Sequence, residues 1–211
     1  LPQRRRQHPR GMGVRERRVK AFSNIFFHLV LLSSSFLRKV QENLGLFPVT
    51  MVENILEAAE PAAEKIREYD GKIRLIGQYD ADGISATAIA HRMLEREDKE
   101  FEYEIVKQLY EEGIERISEE DEELLLFVDI GSGQSELIKE HILEKTDKEV
   151  IISDHHEPAL ESEESDNEEN LIHLNPHYLG HDGGEAISAA GMTYLLSKAV
   201  SEDNTDLVQF A

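Results

Sequence analysis

Carboxylate and imidazole side chains follow three mostly apolar runs of this sequence, each at the point where the run ends. The polar residues are Asp80 and Asp82 after residues 73–79, Asp129 after residues 124–128, and Asp154, His155 and His156 after residues 149–153. A single aspartate at the end of a strand usually caps the helix that follows, but capping does not account for three such groups. These oxygen and nitrogen donors therefore predict one shared site.

The types of donor indicate which cation such a site would hold. Carboxylate oxygens and imidazole nitrogens without sulfur suit Mn²⁺ or Mg²⁺, and the chain contains no cysteine. Two ions about 3.5–4 Å apart can hold both the attacking and the leaving oxygen of a phosphoryl group. The residues therefore predict metal-assisted hydrolysis of a phosphoester with two divalent ions.

The apolar runs alternate with helical patterns along the chain. Apolar or alternating runs predict strands over 73–79, 101–109, 124–130, 149–153 and 171–175. Helical spacing predicts helices over 85–97, 135–145 and 187–201, and an earlier amphipathic helix over 52–69 that is interrupted near Pro61. Strand and helix in alternation predict an α/β fold, with a mainly parallel β-sheet and helices on both faces.

The carboxyl ends of the strands are where such a sheet binds ligands. Asp80 and Asp82 stand two residues apart, so on an extended segment their side chains would share a face. Gly83 frees the backbone to turn into the helix that begins near Ser85. We therefore expect the carboxylates and histidines to meet in one crevice at this edge of the sheet.

Four short segments occur in the order and spacing of the DHH phosphoesterase superfamily: DADGIS at 80–85, DIGSGQ at 129–134, DHH at 154–156 and LNPH at 174–177. The chain resembles most closely the archaeal RecJ-like branch, whose members are single-strand exonucleases linked to replication and repair. The resemblance covers about residues 52–211. It predicts that residues 51–211 form a DHH phosphoesterase domain that is incomplete at its C-terminal side.

The resemblance implies a role for each of the clustered residues. The implied metal ligands, for two Mn²⁺ or Mg²⁺ ions, are Asp80, Asp82, Asp129 and His155, with Asp129 as the bridge. His156 would contact the scissile phosphate and stabilise its developing charge. Asp154 would orient the two histidines without binding a metal ion itself.

The resemblance also implies a substrate. It predicts a 5′-to-3′ exonuclease that acts on single-stranded DNA or RNA in the cytoplasm, with replication proteins as further partners. A narrow two-metal cleft admits one backbone, and bases can stack at its mouth. Two alternatives stay open: a small phosphodiesterase that acts on oligonucleotides or cyclic dinucleotides, and a DHH scaffold of a replication complex that has lost metal ligands.

Two features depart from the RecJ-like pattern. Such proteins usually carry His or Asp two positions before the first motif aspartate, where this chain has Gln78, a neutral and weaker ligand. Their fourth metal motif follows a further strand, which we expect to begin at residues 207–211, and a substrate-binding domain comes after it. The glutamine favours the scaffold alternative, whereas the intact DADG and DHH segments favour an enzyme.

Other polar residues are interpreted as structural. His91 and His141 fall in helical patterns and are taken as ordinary helix residues. Asn175 precedes a proline, which is typical of a turn. The acidic stretch over 161–170 cannot bury a side chain and is predicted to be an exposed loop.

Residues 1–50 differ from the rest in composition. A basic stretch over 1–20 precedes a mostly apolar run over 21–37, which is short for a membrane span of about 20 residues. We expect residues 1–50 to be an N-terminal extension outside the fold, translated upstream of a start at Met51, with a targeting segment as the alternative. No membrane partner is expected.

The charge is as uneven as the composition. Residues 1–50 hold 10 Lys or Arg against 2 Asp or Glu, whereas residues 51–211 hold 13 against 41. Residues 51–211 are acidic enough to repel nucleic acid unless a local basic groove or screening by salt offsets the charge. We favour adaptation to high salt.

High-salt adaptation predicts that the free energy of unfolding rises between low and molar KCl, because salt screens the repulsion among the carboxylates. Urea denaturation at the two salt concentrations measures this difference. If the stability does not rise, the acidic surface needs another explanation.

Overall fold

A five-stranded sheet organises the protein in this computed structural model, which describes residues 49–159 and 170–211. The strands are β1 Ile73–Gln78, β2 Phe101–Val106, β3 Leu124–Val128, β4 Glu149–Ser153 and β5 Leu171–Leu174. They lie in the order β2-β1-β3-β4-β5, and every neighbouring pair is parallel. The predicted α/β fold with a parallel sheet is confirmed.

Helices connect these strands and flank the sheet. They are α1 Val49–Glu68, α2 Ala81–Arg96, α3 Glu111–Ser118, α4 Ser135–Ile138, α5 Gly183–Ala186 and α6 Ala189–Val200. Helix α4 passes directly into a π-helix at Lys139–Leu143. Short 3₁₀ segments lie at Ser132–Gln134, Pro176–Leu179 and Glu202–Phe210.

The central strand β3 explains why both faces of the sheet are covered. Its residues Leu124, Leu126 and Val128 pack into one core with α1, α2 and α6. Leu125 and Phe127 pack into a second core with α3, α4 and the π-helix. All five side chains are fully buried, as in parallel sheets generally. The prediction of helices on both faces is confirmed.

The order of the strands defines where a ligand would bind. The chain moves from β1 outward to β2 and then crosses back to β3 on the other side of β1. Connections on either side of this point leave the sheet in opposite directions, which opens a crevice at the carboxyl ends of β1 and β3. Asp80, Asp82 and Asp129 follow these two strands.

Helix α1 is continuous, so the predicted interruption near Pro61 is wrong. Proline lacks the N–H that would bond to the carbonyl of Glu57 four residues earlier. Pro61 and Glu57 are both on the exposed side of α1. Water can therefore satisfy the freed carbonyl, and the buried side of the helix keeps its packing.

Two further elements differ from the sequence patterns. The strand expected over 101–109 ends earlier, at Val106, and the helix α3 that follows at Glu111–Ser118 was not predicted. Residues 207–211 do not begin a strand; most of them belong to the 3₁₀ segment Glu202–Phe210. The buried Leu207 packs there against Ile89 and Ala190, which holds the segment on α2 and α6.

Some predictions fall outside the described residues. The apolar run 21–37, most of the extension 1–50 and nearly all of the acidic stretch 161–170 belong to this group. The division between an extension and a DHH domain at residue 51 therefore stays a prediction. Within 49–159 and 170–211, no helix combines the length and the hydropathy that crossing a bilayer requires.

Candidate active site

Asp80 follows β1 and caps α2. Its Oδ1 accepts a hydrogen bond from the backbone nitrogen of Gly83 at 3.0 Å. A Cβ on Gly83 would lie 2.4 Å from the carbonyl oxygen of Gln78, so only glycine lets the chain turn back this tightly. Capping thus accounts for one oxygen of Asp80 and leaves Oδ2 for another partner.

Asp82 joins the first turn of α2 to the start of α6. Its Oδ2 accepts from the backbone nitrogen of Ala189 at 2.8 Å, and its Oδ1 accepts from that of Ala190 at 2.9 Å. N–H groups in the first turn of a helix have no partner within the helix, and the helix dipole favours an anion there. Two contacts from a distant part of the chain therefore fix the position of this carboxylate.

Asp129 stands at the carboxyl end of β3 in an unusual conformation. Its φ is 58°, in the left-handed region that few residues other than glycine adopt, although aspartate tolerates it. The residue is 1% exposed, and its Oδ1 makes no hydrogen bond. A buried polar atom without a partner costs roughly 1–3 kcal/mol. Backbone strain and the unpaired oxygen together indicate a position shaped for a ligand.

His155 points its Nε2 at two of these carboxylates. Its Nδ1 lies 3.0 Å from the carbonyl oxygens of both Gly183 and Ile187, and carbonyls only accept, so the ring proton sits on Nδ1. Nε2 therefore carries the free lone pair, 3.6 Å from Asp82 Oδ2 and 3.5 Å from Asp129 Oδ1. An imidazole oriented by backbone carbonyls is typical of a metal ligand.

His156 forms an ion pair with the fully buried Asp154. The His156 Nδ1 donates to Asp154 Oδ1 at 2.8 Å, and mainly this hydrogen bond raises the pKa of His156 to about 9. Burial would raise the pKa of Asp154, but the hydrogen bond and charge of His156 outweigh it and lower that pKa to about 2. At neutral pH the half-exposed ring is therefore an imidazolium whose Nε2 can donate to an anion.

The pKa of Asp129 is raised to about 8. Burial is the main cause; the charges of Asp154, Asp82 and Asp80 add to it, and the charge of His156 offsets part of it. At pH 7 the group is therefore a carboxylic acid, whose proton a cation must displace. A doubly charged ion would relieve the repulsion among these carboxylates.

Gln78 lies between two of the carboxylates. With its amide nitrogen turned toward them, it donates to Asp80 Oδ2 at 2.9 Å and to Asp129 Oδ2 at 3.2 Å. The opposite orientation would set the amide oxygen against two carboxylate oxygens, all of them acceptors. Gln78 therefore ties Asp80 to Asp129 by hydrogen bonds.

A further set of polar contacts holds the DHH segment in place. The backbone nitrogen of Ser132 donates to Asp154 Oδ2 at 3.0 Å, and its Oγ lies 2.7 Å from Nε2 of His173. Asn175 Nδ2 donates to Ser132 Oγ at 2.8 Å and to the carbonyl oxygen of His156 at 2.9 Å. The loops after β3, β4 and β5 are thus one hydrogen-bonded unit, which restrains His156.

A cavity of about 280 Å³ opens beside these groups. Its lining includes Gln78, Lys107, Asp129, Gln134 and His156. Lys107 follows β2 directly and brings a positive charge to the same edge of the sheet as the carboxylates. Lys107 and the imidazolium of His156 thus place two positive charges in the lining, of which His156 is paired with the carboxylate of Asp154.

The donors present fit a divalent cation. Among the described residues, Asp129, His155 and His156 each place one ligand atom within 4.8 Å of the others. Because Nδ1 of His156 is already bonded to Asp154, while Asp82 lies beside Nε2 of His155, the geometry favours Asp82, Asp129 and His155 as ligands. Oxygen and imidazole donors without sulfur suit Mn²⁺ or Mg²⁺.

The structure brings together all the residues that the sequence nominated. They are Asp80, Asp82, Asp129, Asp154, His155 and His156, and they meet at the carboxyl edge of the sheet as expected. Their individual roles stay predictions. What the sequence patterns did not show is that one oxygen of Asp80 caps α2 and that both oxygens of Asp82 bind the start of α6.

Several residues of the site escaped the sequence reasoning. Lys107 was hidden because the predicted strand over 101–109 placed it inside a strand, whereas β2 ends at Val106. Asn175 was interpreted as a turn residue, and its Oδ1 does accept from the nitrogen of His177, but its Nδ2 also holds the DHH segment. Gly183 lets α5 approach closely, since a Cβ there would lie 1.8 Å from the carbonyl oxygen of His155.

Fold and site together define an α/β protein with clustered carboxylate and imidazole side chains at the switch point of a parallel sheet. The DHH family, N-terminal domain, matches residues 72–210. The chain therefore belongs to the DHH family, and the resemblance drawn from its four motifs is confirmed.

RecJ exonucleases are among the known relatives of this chain. An uncharacterized protein of Methanocaldococcus jannaschii is 38% identical over 150 residues, which make up 70% of this chain and 33% of that protein. The single-stranded-DNA-specific exonuclease RecJ of Bacillus subtilis is 29% identical over 116 residues, 52% of this chain and 14% of that protein. The structure of RecJ in complex with Mn²⁺ from Thermus thermophilus superposes with a TM-score of 0.53 and 30% identity, over 71% of this chain and 21% of that one. The chain is thus related to RecJ and spans a third or less of the length of these relatives.

Proposed function

We propose that the chain hydrolyses phosphodiester bonds with two Mn²⁺ or Mg²⁺ ions. The observation that carries this proposal is the approach of His155 Nε2 to Asp82 Oδ2 and Asp129 Oδ1, at 3.6 and 3.5 Å. The Asp129 oxygen in this group is buried and makes no hydrogen bond. The Mn²⁺ complex of the related RecJ supports the choice of cation.

The carboxylates would form two positions, each of which would bind one cation. Asp82, Asp129 and His155 would hold one ion, and Asp80 with Asp129 would hold the other, at the position that Gln78 bridges. Ions at these places would polarise the phosphoryl group and supply an activated water molecule. Asp129 would therefore be shared by both.

Positive side chains would bind the reacting phosphate. His156, which Asp154 keeps protonated, would donate from Nε2 to a non-bridging phosphate oxygen and stabilise the charge that develops there. Lys107, which also lines the cavity, would add a second positive charge. Asn175 and Ser132 would act only as positioning residues, because they contact the DHH segment and not the cavity.

The proposed substrate is a single strand of DNA or RNA, digested from its 5′ end. The name of the B. subtilis relative, a single-stranded-DNA-specific exonuclease, supports this choice. The cavity of about 280 Å³ is at the small end of ligand pockets, so it suits one phosphate with part of a nucleoside better than a paired duplex. A cytoplasmic location and replication proteins as partners belong to the same proposal.

The full chain incubated with Mn²⁺ or Mg²⁺ tests the proposal. A 5′-labelled single strand, the same strand in a duplex, and dinucleotides serve as substrates, and we expect mononucleotides from the single strand. Cleavage of dinucleotides alone would favour the small phosphodiesterase. Binding of replication factors without Mn²⁺-dependent cleavage would favour the scaffold. The neutral amide of Gln78, a weaker metal ligand than His or Asp, is the feature that supports this alternative.

Replacing Gln78 with His should raise the affinity for Mn²⁺ about tenfold or more, since an imidazole nitrogen is a stronger ligand than an amide. Calorimetric titration measures the affinity. Gln134→His, at another glutamine of the cavity lining, is the matched control and should leave it unchanged. Equal affinities in Gln78→His and the parent would show that position 78 does not contact the ion.

Metal binding should release protons near neutral pH. Because the pKa of Asp129 is raised to about 8, the carboxyl must lose its proton to bind, so the affinity for Mn²⁺ should fall about tenfold for each pH unit below that pKa. Calorimetry in two buffers of different ionisation enthalpy counts the protons released. An affinity that stays constant from about pH 6 to about pH 8 would contradict this assignment.

A further inference from the structure

A strip of apolar, aromatic and basic side chains runs along strand β2 and helix α2. It consists of Tyr79, Ile84, His91, Tyr103, Ile105 and Lys107. Tyr103 is 56% exposed and Ile105 is 42% exposed, and both point to the same face of β2 because they stand two residues apart. Within 49–159 and 170–211, β2 has a neighbouring strand on one side only. Large apolar side chains are thus left uncovered at this edge of the sheet.

Helix α2 forms the other side of the strip. The ring of His91 contacts that of Tyr103, with 5.3 Å between the ring centroids. Ile84 stands about two turns before His91 on the same side of the helix and is also exposed. Because α2 begins at the carboxyl edge of the sheet, Ile84 lies nearer to that edge than His91 does. The strip therefore extends along α2 and β2 toward the active site.

Tyr79 and Lys107 end the strip beside the active site. Strands β1 and β2 are paired in register up to Gln78 and Val106, so Tyr79 and Lys107 are the next neighbours. The Nζ of Lys107 lies 6.0 Å from the centroid of the exposed Tyr79 ring. Lys107 also lines the active-site cavity, and Tyr79 stands directly before Asp80. The strip is thus continuous with the active site.

The charge of the strip differs from that of the rest of the chain. Residues 51–211 hold 13 Lys or Arg against 41 Asp or Glu, yet none of the six residues of the strip is acidic. Glu95, 3.6 Å from Nδ1 of His91, lies at the end that points away from the active site. A polyanion that approaches the active site along this strip therefore meets less repulsion than the composition of the chain implies.

We propose that the strip binds the bases of a single nucleic-acid strand whose reacting phosphate lies in the active-site cavity, an inference that rests on the proposed function. Aromatic side chains stack on bases of any sequence, because every base has a π-face. Tyr79 and Tyr103 would make such contacts, and Lys107 would neutralise a phosphate between them and the cavity. In a duplex the faces of the bases are already stacked on one another, so the strip would select single strands.

Binding of a fluorescein-labelled oligo-dT strand to the full chain tests the proposal, with fluorescence anisotropy as the readout. EDTA removes divalent cations, so that the strand stays intact and only binding is measured. We expect Tyr103→Ala to lower the affinity about tenfold, the effect of losing one stacking contact, and Tyr103→Phe to keep it. A strand of equal length with abasic sugars should bind the parent at least tenfold more weakly than oligo-dT does.

Tyr69→Ala is the matched control, because Tyr69 is a partly exposed tyrosine that precedes β1, at the opposite edge of the sheet. It should leave the affinity unchanged. The side chain of Tyr103 is exposed, so Tyr103→Ala should fold normally, which its melting temperature checks. Equal affinity of the parent and Tyr103→Ala for oligo-dT, or of the parent for oligo-dT and the abasic strand, overturns the proposal.

A second copy of the chain is the other occupant that an uncovered strip could have. Light scattering would then show a dimer of the parent that Tyr103→Ala converts to a monomer without a change in strand binding, and this result also overturns the proposal. The proposed function is tested separately. Strand binding that depends on Tyr103 without Mn²⁺-dependent cleavage contradicts the nuclease activity alone, whereas cleavage with a strand affinity independent of Tyr103 contradicts the strip alone.

Discussion

Asp129→Asn should abolish nuclease activity and metal binding at the active site, and should leave chelator-treated protein at least as stable as the parent. The carboxyl is protonated at pH 7 because its pKa is raised to about 8, so a neutral amide of the same shape replaces it at little cost. Asparagine also tolerates the φ of 58° at this position. Only the ability to become a bridging anion is lost.

The expected loss of activity is large because both proposed ion positions share Asp129. Metal ions contribute several kcal/mol of transition-state stabilisation, and each 1.36 kcal/mol is a factor of ten in rate. We therefore expect kcat/KM to fall roughly a thousandfold or more. Release of labelled mononucleotides measures the rate, and calorimetric titration with Mn²⁺ measures the binding.

The pH dependence of stability gives an independent signature of Asp129. A carboxyl whose pKa is raised in the folded state contributes stability that is complete below its model value of 3.8 and is lost as the pH rises through about 8. The parent should therefore lose stability between about pH 4 and about pH 8, and Asp129→Asn should lose less over this range. His156, whose pKa is raised from 6.5 to about 9, contributes a further loss of stability between these two pH values, and this loss should remain in Asp129→Asn.

Asp121→Asn, at an exposed aspartate before β3, is the control for Asp129→Asn and should change neither activity nor this pH dependence. Retention of Mn²⁺-dependent cleavage by Asp129→Asn would be incompatible with a bridging role. A strong destabilisation of Asp129→Asn at pH 7 would show that the carboxyl is ionised and paired in the folded protein, contrary to its raised pKa.

Asp82→Ala should destabilise the fold as well as remove a metal ligand. Both oxygens of Asp82 accept hydrogen bonds from the first turn of α6, and a hydrogen bond to a charged group contributes about 1.5–3 kcal/mol. The side chain is 29% exposed, so water replaces part of what is lost. We expect a decrease of about 2–3 kcal/mol in the free energy of unfolding.

Asp82→Asn separates the structural role of Asp82 from its role as a ligand. The amide oxygen can still accept from Ala189 or Ala190, so most of the stability should remain, with a loss of about 1 kcal/mol. Affinity for Mn²⁺ should nevertheless fall about as much as in Asp82→Ala, because the negative charge is gone in both variants.

Urea denaturation gives the two stabilities, and calorimetric titration gives the affinities for Mn²⁺. Asp70→Asn, at an exposed aspartate after α1, should change neither quantity. Equal destabilisation by Asn and Ala at position 82 would argue against the capping contacts with α6. Parental Mn²⁺ affinity in Asp82→Asn would argue against ligation by this residue.

Strand positions were predictable because burial on both faces of a parallel sheet requires unbroken apolar runs. The run at 149–153 coincides with β4, and the strand expected over 124–130 begins with β3 at Leu124 but ends two residues earlier, at Val128. Element ends were less certain, because a polar residue can belong to a strand or to the loop after it. The strand expected over 101–109 ends at Val106, and this difference concealed Lys107.

Local patterns also failed where an element depends on distant packing. The π-helix at Lys139–Leu143 has the same apolar spacing as an α-helix, and its extra residue per turn follows from contact with α3. Residues 207–211 have a composition that suits a strand, yet Leu207 finds its core between α2 and α6. Neither contact is visible in a window of neighbouring residues.

By itself, the sequence determined which polar residues cluster and approximately where they lie, because parallel strands present their carboxyl ends on one edge and the motifs follow those ends. Only the tertiary structure decided what each group can do. The proton of His155 sits on Nδ1 because the carbonyls of Gly183 and Ile187, at the two ends of α5, both face it. The pKa of Asp129 rises mainly because the fold buries it, and further because carboxylates that follow β1 and β4 lie beside it. The direction of a lone pair and the pKa of a group depend on the residues that surround it in space, and here those residues are far from it along the chain.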